Sequence, residues 1–396
     1  MLPEGWRFPA LSDLATFVSG GTPDKAKSAF WDGDIPWVTV SDMKSLRLTE
    51  AQHKLTPAGA EQVRIVQKGT ILVLVRGMGL FKDLPVLLCE EPLTFNQDIK
   101  GLVPNNSVDS EFLAYALIAR KSEILRHVDS AGHGTGRLDT DLLKATPIPL
   151  PTLPEQRRIA EIIRAWDEAI EATQSIIAKR ERQYRGLREQ LVDWFSPERQ
   201  PLRKLVKATS RQVVKPNEPY RALSIRSHGK GTFERLVSDP SSVAMEHLFV
   251  AKAGDLIVNI TFAWEGAVAL VPPRHDGGLV SHRFPTFEPR RARVNPRYLR
   301  HALRMPRFNY LLGVVSPGGA GRNRVLNKSD FLELDIPTPS LKAQDRVAEI
   351  LDEAEKAIET EQLSLNALLR QKRGLMQKLL TGEWRVKPEV VTAMSG

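Results

Sequence analysis

Two stretches of the chain carry the same rhythm of apolar and polar positions. From Ile159 the apolar residues step by four and three: Ile159, Ile163, Trp166, Ile170, then Ile177, Tyr184, Leu187, Leu191 and Trp194. Thr173 and Arg180 interrupt that series. A second series runs Val347, Leu351, Ala354, Ile358, Leu365, Leu368, Leu375, Leu379, with Glu361 and Lys372 as its exceptions. Such heptads predict long helices over 155–193 and 343–381 that bury one narrow stripe against a partner. A 40-residue helix is about 60 Å long. The nearest partner for each is its own repeat. In an antiparallel seam Arg180 and Glu361 fall opposite each other and fix register, unless Arg180 snorkels to solvent.

The repeat is wider than the stripes. IPLPTLPEQRRIAEII (Ile148 to Ile163) returns as IPTPSLKAQDRVAEIL from Ile336, and 148–192 aligns with 336–380 without a gap at an offset of 188, about 19 of 45 pairs being identical. Proline at 147, 149, 151 and 154 keeps the approach extended, and Pro154 suits a first helical turn. Looser echoes precede the helices: KGTILV and AGDLIV, DSEFLAYAL and NPRYLRHAL. The intervening globules alternate strand-like runs (Trp37 to Val40, Thr70 to Val75, Val86 to Leu88) with helical periodicity over Asp109 to Leu125 and Asn295 to Leu312. This predicts an α+β chain in which two mixed α/β globules (1–147 and 197–335) alternate with two long helices (148–196 and 336–385), before a tail of 386–396.

Composition narrows the function. A net charge of +9 and a pI near 9.6 favour a polyanionic partner. One cysteine, Cys89, leaves no internal disulfide and no cysteine-based zinc site. The longest apolar run, ILVLV, is too short for a bilayer, and no signal segment opens the chain, so a cytoplasmic setting is expected. A stand-alone DNA methyltransferase is the enzyme alternative, but NEPY (Asn217 to Tyr220) has Glu218 where that motif needs proline, and FVSGG lacks Gly-x-Gly. No phosphate-binding loop, no spaced histidine pair and no acidic partner for Asp24 and Lys25 is present. A coiled-coil scaffold unrelated to DNA is the other alternative that the heptads permit.

The chain resembles the DNA-specificity subunit of Type I restriction–modification systems. The resemblance rests on the duplicated proline-led helix start, the SGGTP loop after PEGW, and GTGRLDTDLLKATPIPLP running into the first helix. It implies two target-recognition domains that each read half of a bipartite DNA site, with the two helices paired as an antiparallel coiled coil and acting as a ruler. It implies no catalysis by this chain and no cofactor in it. Two methylation subunits carrying S-adenosylmethionine and restriction subunits using ATP and Mg are the implied protein partners, and double-stranded DNA the implied ligand. Half-sites on one face of B-DNA lie about 34 Å apart, which a stiff spacer must match.

Loop residues of the types that read base edges are the candidate DNA contacts. In the first globule these are Thr22, Lys25, Lys44, Arg76, Gln97 and Arg137. In the second they are Arg226, Asn259, Thr261, His282, Arg283, Arg322, Asn323 and Arg324. For the helix seam and partner docking the candidates are Glu155, Gln156, Ile163, Trp166, Ile170 and Arg180, with Gln344, Leu351, Ile358 and Glu361 in the second copy. The second copy departs from the family's Glu-Gln pair by reading Ala343-Gln344, so its helix start is expected to differ.

Overall fold

The computed structural model describes residues 3–131, 134–194, 196–319 and 324–386. The chain divides into two units, one made of residues 1–173 and 364–396, the other of residues 174–363. Each unit therefore contains one globule, the start of one long helix and the end of the other.

In the first unit the central sheet is antiparallel, with strands in the order Ala15–Ser19, Ile99–Pro104, Ile71–Leu74, Val86–Leu88. Ile71, Leu72, Val73 and Leu74 are all fully buried. A strand covered on both faces needs an unbroken apolar run, which ILVL supplies. The helix Ser110–Ala119 packs nearby and buries every residue from Phe112 to Leu117. The periodicity over Asp109 to Leu125 resolves into this helix and a short turn of helix, Lys121–Ile124. Arg120, at φ −93° and ψ 4°, breaks it. Two small sheets complete the unit: His53–Leu55, Trp31–Val38 and Thr94–Phe95, and Arg76–Gly77, Thr135–Leu138 and Val128–Ala131.

The second unit repeats the central sheet with the same connectivity, in the order Val206–Thr209, Thr286–Pro289, Leu256–Val258, Val268–Leu270. Its outer sheet is different, five strands built around Gly278–Val280. The helix expected over Asn295 to Leu312 is two helices, Pro296–Ala302 and Pro306–Val314. Met305 is extended because a proline follows it, which ends the first helix.

The long helices span Leu153–Leu191 and Leu341–Leu380. Ile159 and Ile163 share the first unit's core with Met376, Leu379 and Leu380. Tyr184, Leu187 and Leu191 pack into the second unit's core beside Val347 and Leu351. In both units the start of one helix meets the end of the other, so within each unit they run antiparallel. The polar residues that interrupt the stripes pair across this seam. Arg180 Nη2 lies 3.3 Å from Glu361 Oε1, and Lys372 forms an ion pair with Asp167, which also accepts the Tyr115 hydroxyl at 2.7 Å.

Each globule is fixed to its helix start in the same way. Gln156 Oε1 accepts the Asp109 N–H, and its amide donates to the carbonyls of Pro151 and Ser107. Gln344 repeats the set with Asn295, Pro339 and Arg293. One turn along, the charges are reversed between the copies. Glu111 of the first globule meets Arg164 at 3.4 Å, whereas Arg297 of the second meets Asp352 at 2.5 Å.

Candidate nucleic-acid interface

The candidate side chains of the first unit sit on two loop groups. Gly20 lets the SGGTP loop touch the strand end at Phe95, where a Cβ would overlap the Phe95 carbonyl. That contact places Thr22 beside Gln97, and the Thr22 hydroxyl donates to Gln97 Oε1 at 2.6 Å. Gln97 is exposed, and with its oxygen engaged by Thr22 its amide still has N–H donors to offer a ligand. Lys25, three residues after Thr22, and Lys44 are exposed but take no part in this bond. The second group is the strand pair in which Arg76 stands directly opposite Arg137. Both are exposed. The turn after Arg76 exposes Met78 and Phe81, at 73% and 52%.

The second unit gathers its candidates on one loop cluster. Asn259 Oδ1 accepts the Thr261 N–H at 3.0 Å, closing a turn. Thr261 Oγ1 accepts from Arg283 at 3.2 Å, and the Arg283 carbonyl accepts from Ile260 N–H. Arg324 lies over the Trp264 ring, 5.6 Å from its centre, and Trp264 donates to the Thr261 carbonyl. Gly266, at φ +76°, is held against Asn309, and its carbonyl accepts from Gly229. His282 is exposed on the same loop as Arg283. Arg226 is on another strand end, its guanidinium 4.9 Å from the Phe233 ring centre. Arg322 and Asn323 lie outside the described residues. Sequence reasoning missed Met78 and Phe81, because exposure of an apolar side chain leaves no local signal, and the half-buried Trp264, because its contact with Arg324 joins segments distant in sequence.

The helix-start candidates have roles inside their own units. Gln156 and Gln344 are 1% and 0% exposed and bonded as above. Glu155, 2% exposed, forms a bidentate pair with Arg385 at 2.8 and 3.1 Å. The buried carboxylate is the main reason the Arg385 guanidinium holds its proton above the ordinary range. Ala343 cannot repeat this pair, the difference that the second copy's sequence leads one to expect. These three side chains are thus internal ties rather than exposed docking groups. Ile163, Ile170 and Leu351 are buried, and Trp166 and Ile358 half-buried, along the seam.

His301, Asp352 and Glu355 bring ligand-type atoms within 4.8 Å of one another. Arg297, Arg300 and Arg304 already neutralise the two carboxylates. His301 donates from one nitrogen toward Asp352 at 2.7 Å and meets the Tyr184 hydroxyl with the other at 2.9 Å. That set suits a structural junction better than a cation. Tyr220 of the NEPY stretch is in a core cluster with Val237 and Leu248. Burial pushes the Cys89 thiol up to about 12, which leaves it protonated and unreactive.

Comparison with known proteins gives a consistent picture. A family profile described as Type I restriction modification DNA specificity domain matches residues 3–182 and 245–370. The chain is 30% identical over 195 residues to the Type I restriction enzyme EcoR124I/EcoR124II specificity subunit of Escherichia coli. That match covers 48% of this chain and 48% of the relative, so it spans about half the relative's length. It is 21% identical over 421 residues to the Type I restriction enzyme MjaVIII specificity subunit of Methanocaldococcus jannaschii, covering 98% of this chain and 94% of that one. In fold it is similar to the S subunit of a Type-I restriction-modification system from M. genitalium, with a TM-score of 0.60, 14% identity, and coverage of 96% and 98%.

Proposed function

The chain belongs to the Type I restriction modification DNA specificity family, and we propose that it selects the DNA site for such a complex without catalysing a reaction itself. Each globule reads one half of a bipartite site in double-stranded DNA. The long helices set the distance between the halves and offer two related surfaces to two methylation subunits. S-adenosylmethionine stays with those subunits, and ATP with Mg stays with the restriction subunits. The complex acts in the cytoplasm. No described helix is long and apolar enough to cross a membrane.

One observation carries this reading. The two units share a central sheet of the same connectivity and the same glutamine tie, yet their exposed loops differ in chemistry. A shared frame with divergent loops is what two readers of unlike half-sites need. A pair of identical enzymes would repeat the loops as well as the frame.

The test is co-expression of the full chain with its partner subunits, followed by sequencing of methylated sites. The expected result is one two-part motif with an unread spacer. The purified chain alone is expected to transfer no methyl group from labelled S-adenosylmethionine. Its DNA affinity is expected to fall steeply between two salt concentrations. Salt-independent behaviour with no DNA shift would favour the coiled-coil scaffold instead.

A further inference from the structure

Arg76 and Arg137 are Cα partners in adjacent antiparallel strands, so their side chains leave the same face. Like charges placed directly opposite destabilise a strand pair. Among the described residues neither guanidinium makes a hydrogen bond or ion pair. The nearby Asp139 carboxylate accepts the N–H groups of Asp141 and Leu142 and makes no hydrogen bond to either guanidinium. Arg137 also stands opposite Asp129 in the neighbouring strand and lies close enough to Asp139 to help hold that carboxylate low, so the repulsion is partly offset; among the described residues both guanidinium forks are still without hydrogen bonds, and an acceptor-rich ligand would engage them. Two residues beyond Arg76, Met78 is 73% exposed. A phosphate backbone offers nothing to an apolar tip, whereas the floor of the major groove offers both guanine O6/N7 pairs and thymine methyls.

The second unit shows that this pair is not part of the shared frame. There Leu326 N–H donates to the Ile260 carbonyl at 2.8 Å, as Leu138 N–H donates to the Val75 carbonyl at 2.9 Å. Counting from those bonds, Thr261 stands where Arg76 does and Val325 where Arg137 does. The paired arginines are special to the first unit.

We propose that Arg76 and Arg137 act together as a guanine reader, each fork taking O6 and N7 of a guanine in the half-site of the first unit, with Met78 covering the adjoining base edge. This rests on the DNA-recognition reading above.

The experiment uses the full chain co-expressed with its partner subunits, comparing methylated motifs of wild type, Arg76→Lys and Arg137→Lys. Lysine keeps the charge and loses the two-pronged geometry. The expected result is relaxed discrimination, about ten- to hundred-fold, at guanine positions of one half-site, with the other half-site unchanged. Unchanged melting temperature and the intact second half-site show that the variants fold. An unchanged motif overturns the proposal. So does relaxation in both half-sites. So does uniform loss at every site with, for Arg→Ala variants, a salt slope lower by about one, because that marks a phosphate contact. If wild type itself yields no two-part motif, the broader functional reading fails, and it does so independently of the variants.

Discussion

Gln344 accepts the backbone N–H of Asn295 through Oε1 at 2.8 Å. Asn295 caps the helix Pro296–Ala302, so this one contact joins the start of a long helix to the start of a globule helix. Gln156 and Asp109 repeat it at 2.8 Å in the first unit. Each glutamine ties the start of a globule helix to the start of a long helix, and its burial explains why both copies of the proline-led motif keep it. In Gln344→Ala the Asn295 N–H and the Arg293 and Pro339 carbonyls lose their partner. The expected loss of stability is about 2–4 kcal/mol by denaturant unfolding. Gln344→Glu is expected to be as damaging, since a carboxylate cannot donate to those carbonyls. A loss under about 0.5 kcal/mol in either variant would remove this role.

The two seam ion pairs are expected to differ in strength. Arg180 and Glu361 are 44% and 26% exposed. A double-mutant cycle on them is expected to give less than about 1 kcal/mol. Asp167 and Lys372 are 20% and 17% exposed, and Asp167 is held by Tyr115 as well. Their coupling is expected to exceed the first. Equal couplings would contradict the burial argument.

His301 makes the second unit sensitive to acid. Burial is the largest influence on it and lowers it to about 4, against partial opposition from its bond to Asp352. Tyr184, Asp352, Arg300 and Glu355 all face it. Between about pH 6.5 and 4 the unfolded chain binds a proton that the folded chain does not. Stability is therefore full above that window and falls as pH drops through it, by at most about 3 kcal/mol. In His301→Gln the slope of stability against pH in that window is expected to be flatter than in wild type. His275, also lowered by burial, is present in both proteins and cancels in the comparison. An unchanged slope would show that His301 does not titrate there. Asp352 and Glu355 are held below the carboxylate range despite burial, chiefly by their histidine and arginine neighbours. They add a further loss only at lower pH.

The long helices were readable because a 3.5-residue stripe sustained over five heptads is a strong helix signal, and the observed spans begin and end within two residues of the expected ones. The strand Ile71–Leu74 was readable for a similar reason, as a short fully apolar run. The shared connectivity of the two central sheets was not, since KGTILV and AGDLIV mark one strand of each but say nothing about neighbours. The outer sheets depend on pairings between distant, short segments such as Ala222 with Leu279, and periodicity carries no pairing information. Loop candidates were chosen by residue type alone. That choice placed Asn259, Thr261, Arg283 and Arg324 together, but could not reveal that Gln156, Gln344 and Glu155 are internal, because burial of a polar residue depends on partners supplied by other segments, Asp109, Asn295 and Arg385.

The central claim is that the helices measure DNA between two independent readers. The direct measurement is the methylated motif of a chain with four residues inserted near Thr173 and four near Glu361, expressed with the partner subunits. Each insertion adds about 6 Å and roughly one helical turn, so the apolar stripe is nearly kept. An axial change of that size is about two base pairs, and accommodating the accompanying twist of the duplex reduces the expected shift to about one. The account predicts unchanged half-sites separated by a spacer longer by about one base pair. Altered bases in either half-site with the spacer unchanged would contradict it.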